Sequence, residues 1–372
     1  MNAPQPPSTD YTAQQHYACP ACGGEMQWNP TKNALVCPFC GTVSQAQMPV
    51  VGGAIQENDL ATALRNLDGE QRGWGDAKRS VKCQNCQAIS VFDPSRVSQR
   101  CDFCGSTALV PYDQIKPPIR PESLLEFRVP ETKVREDIRA WYGSRFWAPN
   151  NLKGRALTDT LHGIYLPYWT FDAQVHADWS ADAGYFYYTT ENYTDSEGKA
   201  QTRQVQHTRW QPAYGAVDHF FDDDLIPASK GVQPDLLRGI EPFPTTSDLK
   251  SYDPSFLSGW VVEQYQIDLL EAAQDSRSRM EGAMQGMCSS QVPGDTQRNL
   301  QVSADFSAQT FKHILVPVWL LGYTYGTTTY QVVVNGYTGT IAGKYPVSVW
   351  KVILAVILAL IVVGTIFLFS RK

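Results

Sequence analysis

The hydrophobic pattern is most pronounced at the C-terminal end of the chain. Residues 352–369, VILAVILALIVVGTIFLF, form a run of eighteen residues without a charge. As a helix this run would span roughly 27 Å, close to the hydrocarbon core of a bilayer at about 30 Å. Trp350 and Lys351 precede the run and Arg371 and Lys372 follow it, as is typical of residues that flank membrane spans. Because a buried core helix is rarely apolar on every face, the pattern predicts a transmembrane helix over residues 350–370.

Upstream, between residues 120 and 346, the spacing of the apolar positions changes repeatedly, which indicates both strands and helices. The segment LLEFRV alternates like a short strand. After Pro130 a helix is predicted through residues 134–146, with one apolar face made of Val134, Ile138 and Trp141. A second helix is predicted from Asp268, whose side chain suits an N-cap. Its weaker apolar stripe consists of Leu269, Ala272, Ala273, Ser276 and Met280.

Two segments of this body repeat one another. IYLPYWTF, residues 164–171, aligns without gaps with ILVPVWLL, residues 314–321, at an offset of 150 residues, and a Tyr-rich segment follows each copy. We therefore predict a β-hairpin after each copy. In the second, β-branched residues flank Asn335-Gly336, a pair typical of a two-residue type I′ turn. The polar tract from Glu191 to Thr202 is predicted to be a loop.

Eight of the nine cysteines lie in Cys-x-x-Cys pairs, and two pairs separated by fourteen residues make one block. A second block repeats this spacing 64 residues later. Four thiolates at this spacing are typical of a closed structural zinc site with no position for a catalytic water. Iron in a rubredoxin-like site uses similar chemistry, whereas a thioredoxin-like pair would need one Cys-x-x-Cys at the head of a helix. We expect two structural Zn²⁺ ions, one held by Cys19, Cys22, Cys37 and Cys40 and the other by Cys83, Cys86, Cys101 and Cys104.

The predicted fold class is α+β, with two small N-terminal zinc ribbons, a β-rich mixed body that contains an internal duplication, and one C-terminal transmembrane helix. The aromatic content of 12% against 18% charged residues supports a folded, sheet-rich chain. In chain order the predicted parts are a flexible tail (1–18), zinc ribbon 1 (19–47), a linker (48–78), zinc ribbon 2 (79–112), the body (120–346) and the transmembrane helix (350–370).

Two local features refine this division. Glycines beside the cysteines suit the tight turns that such sites require; they are Gly23, Gly41 and Gly105. The linker permits one short amphipathic helix, whose apolar positions are Ile55, Leu60, Leu64 and Leu67.

Charge constrains the partners. A net charge of −6 gives the chain no overall electrostatic footprint for nucleic acid. The second ribbon nevertheless has a mild local excess of cations, with Lys78, Arg79, Lys82, Arg96 and Arg100 against Asp76, Asp93 and Asp102. Proteins are therefore the expected partners, and nucleic-acid binding through the second ribbon is the alternative.

The chain offers little that is typical of an enzyme. GYTGTIAGKY lacks the spacing and the hydroxyl residue of a phosphate-binding loop. The acidic run Asp222–Asp224 beside His219 could bind a cation, but we interpret it as a solvated loop. Cys288 is interpreted as a small apolar residue. No metal-ligand spacing links His162, His176, His207 and His313. We expect no catalytic residues; a hydrolase or redox site in the body would need a concave pocket with converging polar groups.

The order of these features resembles a widespread family of bacterial membrane-anchored tandem zinc-ribbon proteins. The resemblance rests on the tandem ribbons, the segments LPYWTF and VPVWLL, the segment VVVNGYTGTIAGKYP and the terminal apolar helix, and it covers nearly the whole chain. Members are often labelled TFIIB-type zinc-ribbon or primosomal helicase-like proteins, although this sequence contains no helicase motif. The resemblance implies a non-enzymatic membrane component that recruits or scaffolds partners, and some relatives are linked to flotillin-like (SPFH) and phage-shock-type membrane-stress proteins.

The expected function is that of a tail-anchored adaptor or scaffold that docks protein partners at a membrane. Its N-terminal segment is polar and Pro-rich rather than a secretory signal. We therefore expect a single-pass protein of the cell (inner) membrane with the bulk of the chain in the cytoplasm and room for an oligomer. A membrane-tethered nucleic-acid-binding zinc-ribbon protein is the alternative.

Overall fold

The computed structural model describes residues 17–44, 55, 57–65, 79–92, 100–112, 119–150, 152, 161–194, 198–325 and 328–370. Most of the predicted tail (1–18) and linker (48–78) lies outside the described residues. The chain is an α+β protein with two four-cysteine units, a β-rich body and a C-terminal apolar helix.

A small antiparallel sheet forms the first cysteine unit. It contains β1 (Gln27–Asn29), β2 (Ala34–Val36) and β3 (Val43–Ser44), in the order β1-β2-β3. The unit is packed onto the body, because the Trp28 amide donates to Ser258 O at 3.1 Å and the Ser258 hydroxyl donates to Met26 O at 2.6 Å. The rings of Trp28 and Phe256 lie 4.6 Å apart between centroids.

A mixed sheet joins the second cysteine unit to the body. Its strands are β4 (Asn58–Asp59), β5 (Arg79–Cys83), β6 (Ile89–Phe92), β7 (Leu109–Pro111), β8 (Ser123–Leu124), β9 (Leu161–Thr194), β10 (Ala200–Pro227), β11 (Lys250–Ser251), β12 (Val261–Glu263), β13 (Thr296–Tyr325), β14 (Thr328–Asn335) and β15 (Ile341–Gly343). The order is β11-β8-β13-β9-β12-β6-β5-β7, with β10 on β9, β14 and β4 on β13, and β15 on β14. The strand predicted over LLEFRV is therefore shorter than expected, since only its first residue belongs to β8.

The two repeated segments pair with each other at the centre of this sheet. They run antiparallel, with Ile164 opposite Val318 and Tyr168 opposite Ile314. A hairpin follows each copy, β9–β10 after the first and β13–β14 after the second, as predicted. The proline and the tryptophan of each copy also make corresponding hydrogen bonds. The carbonyls of Pro167 and Pro317 accept from the amides of Ala228 and Gly336, and the indoles of Trp169 and Trp319 donate to Ile267 O and Val129 O, both at 2.9 Å. The duplication is thus a local two-fold arrangement.

The described chain contains six α-helices: α1 (Leu60–Arg65), α2 (Glu131–Ser144), α3 (Pro234–Ile240), α4 (Thr245–Asp248), α5 (Leu269–Gln291) and α6 (Val349–Ser370). The short linker helix is present as α1. The predicted helix after Pro130 begins one turn earlier than expected and buries Val134, Ile138 and Tyr142. Helix α5 begins as predicted, since the Asp268 carboxylate accepts from the Glu271 amide at 2.9 Å.

Helix α5 covers one face of the long strands β9, β10 and β13. Small side chains on the strands let it approach, and Ala177, Ala181, Met280, Met284 and Cys288 belong to one buried cluster. Cys288 is fully buried there, as its interpretation as a small apolar residue requires.

Two local predictions were wrong. Glu191–Thr194 and Ala200–Thr202 are paired strand rather than loop, with Thr194 opposite Ala200; threonine and tyrosine favour strands even where both faces meet water. The acidic run Asp222–Asp224 lies in β10 at a β-bulge, and Asp223 is buried.

The turn at Asn335-Gly336 also differs from the prediction. The hairpin exists, but its loop runs through residues 336–339, and the positive φ of 82° falls at Gly339. Asn335 Oδ1 accepts from the amides of Tyr337 and Thr338, both at 2.9 Å. Gly336 is needed for close approach instead, because a Cβ there would lie 2.7 Å from the Phe127 ring.

Helix α6 projects away from the rest of the chain. Val349–Ile366 has a mean hydropathy of 2.7 and is 0% buried, so one helix of the described residues is long and apolar enough to cross a membrane. This agrees with the prediction for residues 350–370.

Candidate metal centres and exposed surfaces

The first cysteine unit brings its four sulfurs together. Cys19 Sγ lies 3.5 Å from Cys40 Sγ, Cys22 Sγ lies 3.5 Å from Cys37 Sγ, and all four lie within 4.8 Å of one another. Disulfide sulfurs would be separated by about 2.05 Å. A tetrahedral ion with metal–sulfur bonds of about 2.3 Å requires sulfurs about 3.8 Å apart, so the four thiols fit a metal ion.

The second unit has the same geometry. Cys83 Sγ lies 3.6 Å from Cys104 Sγ, and Cys86 Sγ lies 3.6 Å from Cys101 Sγ. These four sulfurs also lie within 4.8 Å of one another. The structure therefore assembles both predicted four-cysteine groups as sites that could hold a metal ion.

One backbone pattern builds all four turns that carry the cysteines. In each, the carbonyl of the first cysteine accepts from the amide four residues later, as in the 2.8 Å bond from Gly23 N to Cys19 O. The donor residue adopts a positive φ, which glycine tolerates without strain. The four donors are Gly23 (73°), Gly41 (74°), Gln87 (66°) and Gly105 (72°). The sequence identified the three glycines but gave no signal for Gln87.

Hydrogen bonds to sulfur favour the thiolate in both units. The Thr42 hydroxyl lies 3.1 Å from Cys40 Sγ. Hydrogen bonds from this hydroxyl and from the Thr42 amide lower the pKa of Cys40 to about 6. In the second unit, hydrogen bonds from the Cys86 thiol and then from the Phe103 and Cys104 amides lower the pKa of Cys101 to about 6. In contrast, the contact with Cys101 and burial raise the pKa of Cys86, and the contacts with Cys40 and Cys37 outweigh the Gly24 amide and raise the pKa of Cys22. Metal ligation requires thiolates, so the surroundings prepare Cys40 and Cys101 for metal binding, whereas the other two thiols would lose their protons to a bound ion.

The two units pack into the hydrophobic cores of the body and are not separate domains. Cys19 and Cys37 belong to a buried cluster with Phe256 and Leu257. In the second unit β6 pairs with β12, with Val91 opposite Val262, and Phe103 is fully buried. Four thiolates close the coordination of a metal ion. The arrangement therefore suits bracing of the fold and leaves no position for a substrate.

A third group with metal-binding potential contains Asp172, Asp222 and Asp223. The Lys312 ammonium lies 2.8 Å from Asp223 Oδ1, 3.1 Å from Glu57 Oε1 and 4.0 Å from Asp172 Oδ2. Burial raises the pKa of Asp172 to about 6. Burial alone would lower the pKa of Lys312, but the hydrogen bond to Asp223 and the surrounding carboxylates raise it. The cluster brings Glu57, the residue before β4, together with residues of β9, β10 and β13. The sequence pointed only to the acidic run, because the other members are far from it along the chain.

The end of the β9–β10 hairpin is an exposed two-stranded ribbon. Strand β13 begins opposite Gly184, so residues 185–194 and 200–209, here called the hairpin tip, have no third strand beside them within the described part of the chain. The tip is rich in exposed aromatic side chains, which are Phe186, Tyr187, Tyr188 and Tyr193. Arg203 lies over the Tyr193 ring, and the His207 ring stacks on that of Tyr187 at 5.3 Å.

Comparisons with known proteins give one informative relative. A protein of Bacillus subtilis (strain 168) described as uncharacterized protein YdjG is 21% identical to this chain over 337 residues, which are 90% of this chain and 91% of that protein. No protein-family model matches the chain. No solved structure matches it either.

Proposed function

We propose that this protein is a non-enzymatic, membrane-anchored zinc-ribbon adaptor or scaffold. In this proposal α6 spans the cell membrane once, the bulk of the chain lies on the cytoplasmic side, and protein partners dock there. The resemblance of the sequence to membrane-anchored tandem zinc-ribbon proteins adds a role in membrane stress, with flotillin-like or phage-shock-type proteins as the partner class.

Zinc is the metal proposed for both four-cysteine groups, because a closed site of four thiolates is the usual structural coordination of Zn²⁺. Metal analysis of the purified full chain tests this directly. We expect two zinc ions per chain and one after Cys101→Ser or Cys37→Ser. Iron at equivalent stoichiometry would contradict the assignment.

The hairpin tip is the observation that carries the docking proposal. Phe186, Tyr187, Tyr188 and Tyr193 are 39–60% exposed. Tyrosine and phenylalanine are enriched in protein interfaces, where they bury much apolar area with little loss of conformational entropy. The outer edge of β10 is also unpaired among the described strands, and such an edge can accept a strand from a partner.

Crosslinked affinity capture from intact membranes tests the docking. The variant Phe186→Ser with Tyr188→Ser removes two exposed rings from the tip. The matched control is Tyr214→Ser, because Tyr214 is 85% exposed on the same strand β10 but lies outside the tip. We expect a protein partner that is lost with the tip variant and retained with the control.

Two other outcomes would contradict the adaptor proposal. Identical capture by both variants would show that the tip does not dock the partner. Recovery of nuclease-sensitive nucleic acid that declines after Lys82→Ala and Arg100→Ala would instead favour the nucleic-acid-binding alternative.

The orientation of the anchor is also part of the proposal. Lys344 and Lys351 flank the body side of α6, and the fold adds Arg145, whose guanidinium lies 4.9 Å from the Trp141 ring and 6.0 Å from the Tyr345 ring. Arg371 and Lys372 follow α6 in the sequence, so Lys344 and Lys351 alone would tie with them, and Arg145 gives the body side three cations against two. An excess of Lys and Arg marks the cytoplasmic side of membrane proteins. Protease protection in sealed vesicles tests this orientation. In right-side-out vesicles we expect the body to resist a protease added from outside.

A further inference from the structure

The start of α6 is fastened to a loop of the body. This loop, residues 145–150, is called the base loop here. The Lys351 ammonium donates to Phe146 O at 2.9 Å, to Ala148 O at 2.8 Å and to Asn150 Oδ1 at 2.9 Å. An ammonium has three protons to donate, and Lys351 donates all three to the base loop.

Further bonds hold the base loop between the helix and the body core. The Ser348 amide donates to Trp147 O at 2.8 Å, and the Ala148 amide donates to Arg145 O at 3.0 Å. Ala148 is 3% exposed and Leu152 is fully buried in the core cluster that contains Tyr142. The base loop is therefore fixed at both sides and cannot easily fold its own side chains inward.

This fixed loop nevertheless holds two aromatic side chains out in the open. Phe146 is 69% exposed and Trp147 is 40% exposed, and their ring centroids lie 5.0 Å apart. Trp350, at the start of α6, is 79% exposed. Val347 and Val349, on either side of Ser348, are also exposed. Exposed apolar patches of this kind mark a surface that is covered by something else.

The position of the patch relative to α6 indicates what covers it. The Ser348 amide bonds to Trp147 O and the Lys351 ammonium bonds to Phe146 O, so the base loop lies beside the start of the candidate span. A bilayer that surrounds α6 from Val349 onward would meet Phe146 and Trp147 at its surface. Tryptophan and phenylalanine favour this interfacial layer. The cation Arg145, which precedes Phe146 in the base loop, suits anionic headgroups.

We propose that Phe146 and Trp147 insert into the headgroup and acyl boundary of the bilayer that α6 spans. Together with Trp350 they form a second anchor, and the Lys351 contacts transmit its position to the body. The body then sits directly on the membrane at a fixed tilt instead of swinging on a flexible tether. This inference rests on the membrane anchor of the proposed function.

Site-specific photocrosslinking to lipid tests the second anchor. The full chain is inserted into vesicles of phosphatidylcholine and phosphatidylglycerol with the photoreactive residue p-benzoylphenylalanine in place of Phe146, of Trp147 or, as the control, of Tyr214. Lipid adducts are quantified by mass spectrometry, and carbonate extraction of the same vesicles reports on α6. We expect adducts at positions 146 and 147 that exceed those at 214 several-fold, with protein that resists carbonate.

The outcomes separate the two ideas. Carbonate-resistant protein without adducts at 146 and 147 overturns the second anchor and leaves α6 as a span. Protein that carbonate extracts overturns the membrane anchor itself. A further variant, Lys351→Met, keeps α6 apolar but removes the three contacts; we expect the adduct at 146 to decrease several-fold while carbonate resistance persists. An unchanged adduct would show that Lys351 does not position the base loop.

Discussion

Removal of one thiolate from each metal centre should have different consequences for the body. Cys101 and Cys37 are equivalent ligands in the two units, and both are buried. Replacement by serine removes one of four thiolates, and metal binding to such a site contributes on the order of 10 kcal/mol to folding of the unit. Each variant should therefore lose one metal ion and the order of its own unit.

How far the loss of structure extends in each variant depends on which strands the affected unit pairs with. The second unit contributes the buried side chains Phe103, Ile89 and Val91, worth about 1.5–3 kcal/mol each, or about 6 kcal/mol together. Its strand β6 is also the partner of β12. Since about 1.4 kcal/mol corresponds to a factor of ten, amide protection in β12 should decrease by up to about four orders of magnitude in Cys101→Ser.

The described strands of the first unit form a sheet separate from the large one. In Cys37→Ser, β1–β3 should lose protection, and so should the contact at Phe256 and Ser258. Strands β5, β6 and β12 should stay protected. Hydrogen exchange with mass spectrometry on the full chain in nanodiscs, with metal content measured in parallel, distinguishes the two patterns. Equal changes in both variants, or unchanged exchange in β12 after loss of the second ion, would refute this reasoning.

Further expectations concern buried groups and the cysteine turns. Burial lowers the pKa of His313 from 6.5 to about 4, so unfolding takes up a proton between those values. About 3 kcal/mol of stability is then lost as pH falls from 6.5 to 4, and His313→Phe should abolish that part of the pH dependence of thermal unfolding. Trp169→Phe and Trp319→Phe each remove the donor from a partly buried carbonyl and should cost about 1 kcal/mol in chemical denaturation, with additive effects in the double variant. Gly41→Ala should weaken metal retention against a chelator by about 1–2 kcal/mol, whereas Gln87→Gly should strengthen it slightly, because both positions require positive φ.

The cysteine centres were predictable because their information is local. Two residues separate the cysteines of each pair, and in three of the four half sites a glycine follows the turn. The ligands could therefore be assigned without knowledge of the fold. What the local pattern could not give was their setting. Phe103 packs into the body core, and β6 pairs with β12. Both arrangements depend on contacts across more than 150 residues of sequence.

The acidic run illustrates the opposite case. Three consecutive aspartates predicted a solvent-exposed loop. Asp223 is buried because Lys312 supplies the opposite charge and the bulge in β10 bends the backbone at this point. Burying an unpaired carboxylate would be prohibitively costly. The sequence contained no signal that the lysine and the aspartate, 89 residues apart, would meet.

The duplication bears on function because the two copies have different lengths. In the second copy, Trp319 pairs with Val334 and the return strand β14 needs only Thr328–Asn335 to complete its half of the core. In the first copy, Trp169 pairs with Ile226 in the equivalent way, yet its return strand β10 runs from Ala200 to Pro227. The same central arrangement therefore forms with a short hairpin, and the core does not account for the additional length. Part of that length is covered by α5, but the hairpin tip lies beyond it, with exposed aromatic rings. We infer that the tip was retained for contact with a partner, which is why the capture experiment is directed at Phe186 and Tyr188 rather than at the metal centres.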